Sequence, residues 1–144
     1  MIILTSFKKS KKFKGEKYSV ARWQPKGFKY PVLEFLDATD ENGSALHFSM
    51  FDNPLRGYEK SWEKKIKKNW KVIKRWIDDI EEDENIVLCC WCPFTASSQE
   101  QIKKFGSFAC HTGLIGKLIK EERPEIRIIL DNDRKNLLVK EWRP

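Results

Sequence analysis

Asn85-Ile86-Val87-Leu88-Cys89-Cys90-Trp91-Cys92 is continuously apolar after its first residue and shows no alternation. A strand with one wet face alternates, whereas a strand covered on both faces does not. The stretch is therefore predicted to be the central strand of a parallel sheet, ended by Pro93. Upstream, Tyr58, Trp62, Ile66, Trp70, Ile73, Ile77 and Ile80 follow at spacings of 4, 4, 4, 3, 4 and 3. That rhythm places them on one stripe of a helix over about residues 58–80, with its lysines on the other faces. The acidic run 78–84 would oppose the dipole at a helix C-terminus, so the helix is expected to stop there.

Downstream, a polar stretch over 95–107 leads to Cys110-His111-Thr112-Gly113, which opens an amphipathic helix through about Glu121. Pro124 closes that unit, and 126–130 is an apolar strand. Helix, buried strand, helix, buried strand is the rhythm of an α/β fold. The expectation is a single domain over 1–144 with a Rossmann-like open sheet, mostly parallel or mixed, flanked by helices. Working outward, 1–6 is a buried strand followed by a basic loop, and 18–23 is a second strand stopped by Pro25. Residues 31–36 form a short helix or strand, Asp40-Glu41-Asn42-Gly43 a turn, 45–51 a weak strand and 137–142 a final edge strand.

The chain has 144 residues and a net charge of +7, enough length for one ordinary core without a stapling metal or disulfide. Its basic excess concentrates in 8–14 and in 60–75. Such a field favours nucleic acid or nucleotides, although a solvated lysine-rich surface looks the same in sequence. No run approaches the roughly 20 apolar residues of a membrane span. Four cysteines without a secretory signal point to a reducing cytoplasm and to free or metal-bound thiols.

Chemistry is expected beyond the carboxyl ends of the strands, where open α/β sheets bind ligands. The segment from Cys90 to His111 leaves a central strand and returns at a helix start, where unpaired N–H groups stabilise thiolates and phosphates. Three functional readings follow. Cys90, Cys92, Cys110 and His111 supply thiolate and imidazole ligands of the kind zinc prefers. Alternatively, Cys110 or Cys92 is a nucleophile with His111 as acid/base. In the third reading, His111 and backbone N–H groups hold an anionic ligand. Against all three, Cys89 and Cys90 are small hydrophobes in a core strand, and consecutive strand residues face opposite sides.

Arg22, near a strand end, has the fork to clamp a phosphate. Asn53-Pro54 suits either a ligand loop or a helix N-cap with Pro at the first turn. His47 reads as structural and Asp131-Asn132-Asp133 as a turn. Trp23 and Trp91 are the tryptophans outside the helix stripe that are suited to stacking on a base. No phosphate-binding glycine loop, dinucleotide fingerprint, serine-hydrolase elbow or His-Glu-x-x-His motif occurs.

Cys90-Trp91-Cys92, then Cys110-His111 opening a helix, with Asn53-Pro54, Tyr58 and Trp62 upstream, resembles domain-of-unknown-function family four-three-two-six of prokaryotes and phages. Ile3-Leu4-Thr5-Ser6-Phe7 and Ser19-Val20-Ala21-Arg22 before Pro25 are similar to the related family four-eight-eight. The loop from Cys92 to Cys110 is longer here, and Thr112 stands where the second family often has Arg. The resemblance implies nucleotide, nucleic-acid or phage–host conflict roles. The leading expectation is capture of a nucleotide, nucleobase or nucleic-acid phosphate at the strand ends, with or without turnover. His111, Cys110 and Cys92 are its reactive candidates, and Ser6, Arg22, Asn53, Trp91 and Thr112 its ligand contacts. The alternative is a non-enzymatic interaction or nucleotide-sequestering module with a basic contact surface and, if metal is bound, structural zinc.

Overall fold

The computed structural model describes residues 1–46, 54–90 and 111–130, with backbone alone at 54–56, 111 and 130. Strand β1 (Ile2–Ser6) runs directly into a one-turn helix α1 (Phe7–Ser10), and β2 (Glu16–Ser19) follows. A 3-10 turn (Glu34–Leu36) precedes α2 (Pro54–Lys68) and α3 (Trp70–Asp78). Then come β3 (Ile86–Cys90), α4 (His111–Glu122) and β4 (Ile128–Leu130). The four strands form one sheet in the order β2-β3-β1-β4, every pair parallel. The expected α/β architecture is therefore present, and the non-alternating stretch is an interior strand buried along its whole length.

The pleat sorts the core into two layers. Ile2, Leu4, Ile86, Leu88 and Cys90 face Ile73, Ile77, Ile115 and Ile119 of α3 and α4, together with Trp62 and Ile66 of α2. Ile3, Val87 and Cys89 face the other way, onto Phe7 and Ala21, with Phe13, Phe28 and Tyr30 packed around them. Three helices thus cover one face of the sheet. The short α1 and the loops on either side of β2 cover the other. Fully burying an Ile such as Ile73 or Ile77 stabilises by about 1.5–3 kcal/mol, which is why this stripe was readable.

Several elements differ from expectation. The long helix is two, broken at Asn69, whose side-chain amide donates to the Lys65 carbonyl (2.9 Å). A side chain that bonds nearby backbone competes with the helix ladder. Helix α2 starts at Pro54, as a first-turn proline allows. Strand β2 starts and stops earlier than predicted, because Glu16 N–H bonds Asn85 and Ser19 N–H turns to Pro31. Residues 31–36 are both strand-like and helical, with a parallel bridge from Ser19 to Val32 before the 3-10 turn. The supposed basic loop begins as α1, because Ser6 caps it by accepting from Lys9 N–H (3.4 Å). Gly15 lies at φ +135°, where any side chain would run into the Asn85 carbonyl. Of the weak strand at 45–51, only an Ala45–Thr39 bridge falls among the described residues. The edge strand at 137–142 and Asp131-Asn132-Asp133 lie outside them, as does His47.

One lysine departs from the solvated faces assigned to it. Lys65 is only 4% exposed. Its ammonium is bound to the Asp37 carboxylate, to the Asp37 carbonyl (2.9 Å) and to Thr39 Oγ1 (2.7 Å). Trp62 Nε1 donates to the same carbonyl (3.3 Å). Burial holds the Lys65 pKa below the usual lysine value despite the pull of Asp37.

Candidate functional site

The carboxyl ends of β2, β3 and β1 lie side by side. In register, Ser6 stands opposite Cys90, Thr5 opposite Cys89, and Cys89 opposite Ser19. The helices that follow β1 and β3 lie on opposite faces of the sheet. From β1 the chain turns at Ser6 into α1, on the face with Phe7 and Val87. The chain that leaves β3 returns as α4, which packs on the other face through Ile115 and Ile119. Adjacent parallel strands whose connections diverge to opposite faces are a topological switch point, the place where open α/β sheets leave a crevice. Ser6 and Cys90 are the terminal strand residues at that point.

The two cysteines of the strand separate cleanly. Cys89 is fully buried on the α1 face. Burial pushes its thiol up to about 11, against a smaller opposing effect of a hydrogen bond with Ser10. Ser10 in turn donates to the Phe7 carbonyl (2.6 Å) and is bonded to Tyr30 Oη (3.1 Å). Cys89 thus packs in the core on the α1 side. Cys90, 3% exposed at the last position of β3, packs in the core on the other face, against the helices, so both cysteines of the strand are buried.

Thr112, in the first turn of α4, is buried in the fold. Arg22 lies three residues past β2, exposed, with its guanidinium 5.5 Å from the centre of the Trp23 ring. His111 is the first residue of α4, as the sequence predicted; its side chain lies outside the described portion. Cys92, Cys110, Trp91 and Asn53 also fall outside the described residues. Among the described residues, no group of three or more His, Cys, Asp or Glu is placed to hold a metal ion. Of the four predicted zinc ligands, Cys90 is the one whose side chain is described.

A second concavity of about 570 Å³ opens beside β2 and is lined by Arg22, Phe35, Asp37, Thr39, Lys65 and Asn69, among others. The sequence reading missed this Lys65–Asp37–Thr39 cluster. Its one sequence signal is that Lys65 falls three residues after Trp62, on the flank of the buried stripe. Nothing in the sequence places Asp37 and Thr39 against it.

No protein-family model, curated protein or solved structure matches the chain. The family likeness noted above therefore rests on its short motifs alone.

Proposed function

We propose that this chain binds a phosphate-bearing nucleotide in the crevice between the carboxyl ends of β1 and β3. One observation carries the reading: Ser6 and Cys90 are register partners, and their strands connect to helices on opposite faces. That is the arrangement in which open parallel sheets bind ligands. The start of α4 at His111 offers backbone N–H groups and the positive end of a three-turn helix to a phosphate. His111 serves as phosphate ligand or acid/base, Cys92 and Cys110 as nucleophiles or metal ligands, and Arg22 as an anion clamp from the neighbouring strand end. Whether the bound nucleotide is turned over depends on the thiols.

Calorimetric titration with a panel of nucleoside mono-, di- and triphosphates tests the reading, using wild type and the His111→Ala and Arg22→Ala variants. Binding by wild type that weakens about tenfold or more in His111→Ala supports it, the loss expected when a charge-assisted hydrogen bond is removed. Equal affinity in both variants, or no heat with any member of the panel, contradicts it. Elemental mass spectrometry of tag-free protein settles the metal question. One zinc per chain that is lost in Cys92→Ser makes the thiols ligands; its absence leaves them to anion capture or covalent chemistry.

A further inference from the structure

We infer that the surface of residues 7–33, built around the Phe7, Phe28 and Tyr30 layer on the side of the sheet away from α2, α3 and α4 and reaching at Arg22 the concavity shared with Lys65 and Asn69, is a docking surface for single-stranded nucleic acid. The inference does not rest on the crevice. The sequence holds two basic clusters, and the structure separates them.

The cluster of α2 and α3 is partly partnered, although Lys60, Lys64, Lys67, Lys71 and Arg75 have no carboxylate within ion-pair distance among the described residues. Lys65 is buried on Asp37, Lys68 donates to the Glu41 carbonyl (2.9 Å), and Lys74 pairs with Asp78 (2.7 Å). Glu59, on the same helix, pairs with Lys117 of α4 (3.6 Å).

The layer of residues 7–33 is different. It holds nine Lys and Arg and a single carboxylate, Glu16. Since the whole chain is +7, the rest of the molecule is close to neutral. Glu16 sits at the first position of β2, at the opposite end of the sheet from the crevice, and accepts from Tyr18 Oη (2.8 Å). Lys8, Lys11, Lys14, Lys26 and Lys29 have no carboxylate within ion-pair distance among the described residues. Lys17 projects from β2 on this same face, beside Val87. A surface dominated by one sign, with five exposed lysines unpaired to any carboxylate among the described residues, favours a polyanion.

The aromatic residues decide which polyanion. Phe7, Phe28 and Tyr30 form one packed cluster with ring centres 5.4–6.2 Å apart. Lysines lie over its rim: Lys11 is 5.0 Å from the Phe28 ring, and Lys12 is 5.0 Å from that of Phe13. These rings pack against the sheet rather than project, so the layer lacks the row of apolar side chains that would enter a bilayer. Trp23 does project. It is 70% exposed, the most exposed large hydrophobic among the described residues. Arg22 lies over its ring, and Gln24 pins the loop to the layer by two hydrogen bonds with the Tyr30 backbone (2.7 and 2.9 Å). An exposed indole on a fixed loop beside a lysine field is the stacking-plus-phosphate combination that single strands use.

Fluorescence anisotropy with a labelled oligodeoxythymidylate, over a range of potassium chloride, tests this. Wild type is expected to bind with log K falling against log salt at a slope of about −3 to −4, as five or so neutralised phosphates on a single strand require. The Lys8→Ala/Lys11→Ala/Lys14→Ala variant should bind at least tenfold more weakly and with a shallower slope. Trp23→Ala should bind about tenfold more weakly with the slope retained, since stacking is not ionic. Lys60→Ala/Lys64→Ala/Lys71→Ala on the other side should bind as wild type does. All the substituted layer positions are exposed, so circular dichroism should be unchanged. No binding at low salt overturns the inference, as do equal losses from the two lysine triples or full affinity in Trp23→Ala. Binding to phosphatidylserine vesicles with none to the oligonucleotide overturns it in favour of a membrane surface.

Discussion

Lys65 shows what a single residue can hide in a sequence. It belongs to a run of lysines, yet its ammonium is enclosed by Asp37 and Thr39 and ties the segment after the 3-10 turn to α2. Removing one partner of a buried pair strands the other charge, at a cost of about 3–5 kcal/mol. Lys65→Met, which keeps the packing of the stem, should lower stability by that amount in urea unfolding. Adding Asp37→Asn should recover much of it; a change under about 1 kcal/mol in the single variant would mean that the pair is solvated. Cys89 makes the converse case, a nucleophilic residue type that the fold has silenced. With its thiol pushed up to about 11 and its side chain fully buried, it stays protonated at neutral pH. Iodoacetamide at pH 8 should leave Cys89 unmodified in native protein and alkylate it in urea, as read by peptide mass spectrometry. Rapid native labelling of Cys89 would show that the α1 layer opens.

At the scale of elements, legibility followed the period of the apolar residues. The interior strand was readable because Ile86 to Cys90 never alternate, and the helical stripe because its spacings repeat from Tyr58 to Ile80. What failed was governed by backbone pairing, which leaves no mark on composition. Strand β2 pairs from Glu16 because Asn85 receives its N–H, and it ends where Ser19 turns to Pro31. The break at Asn69 depends on one amide reaching one carbonyl. Helix α1 is a single turn, too short to show a period, and only its Ser6 cap betrays it. The end of α3 is likewise fixed from afar, where Arg123 Nη1 donates to the carbonyls of Ile77 (3.1 Å) and Ile80 (2.6 Å). Positive charge at a helix C-terminus is favourable, which offsets the acidic run beside it.

For the molecule as a whole, the sequence indicates that a parallel sheet exists but not the order of its strands. The order β2-β3-β1-β4 is what sets Ser6 beside Cys90, 84 positions further on, while the helices that follow the two strands pack on opposite faces. The candidate site was thus legible as a strand end and a helix start, whereas the partnership with β1 emerged only in three dimensions. The same layering groups charge: residues 7–33 carry nine Lys and Arg and one carboxylate. No helix among the described residues is long and apolar enough to cross a membrane.

Titration of uniformly nitrogen-15-labelled protein with ATP, followed by amide chemical shifts, tests the crevice most directly. Saturable shifts concentrated at Ser6 to Lys9, Cys90 and His111 to Gly113 are the expected result. No shifts at millimolar ATP, or shifts confined to the cleft around Phe35 and Lys65, would contradict the assignment of the nucleotide site to the β1–β3 switch point.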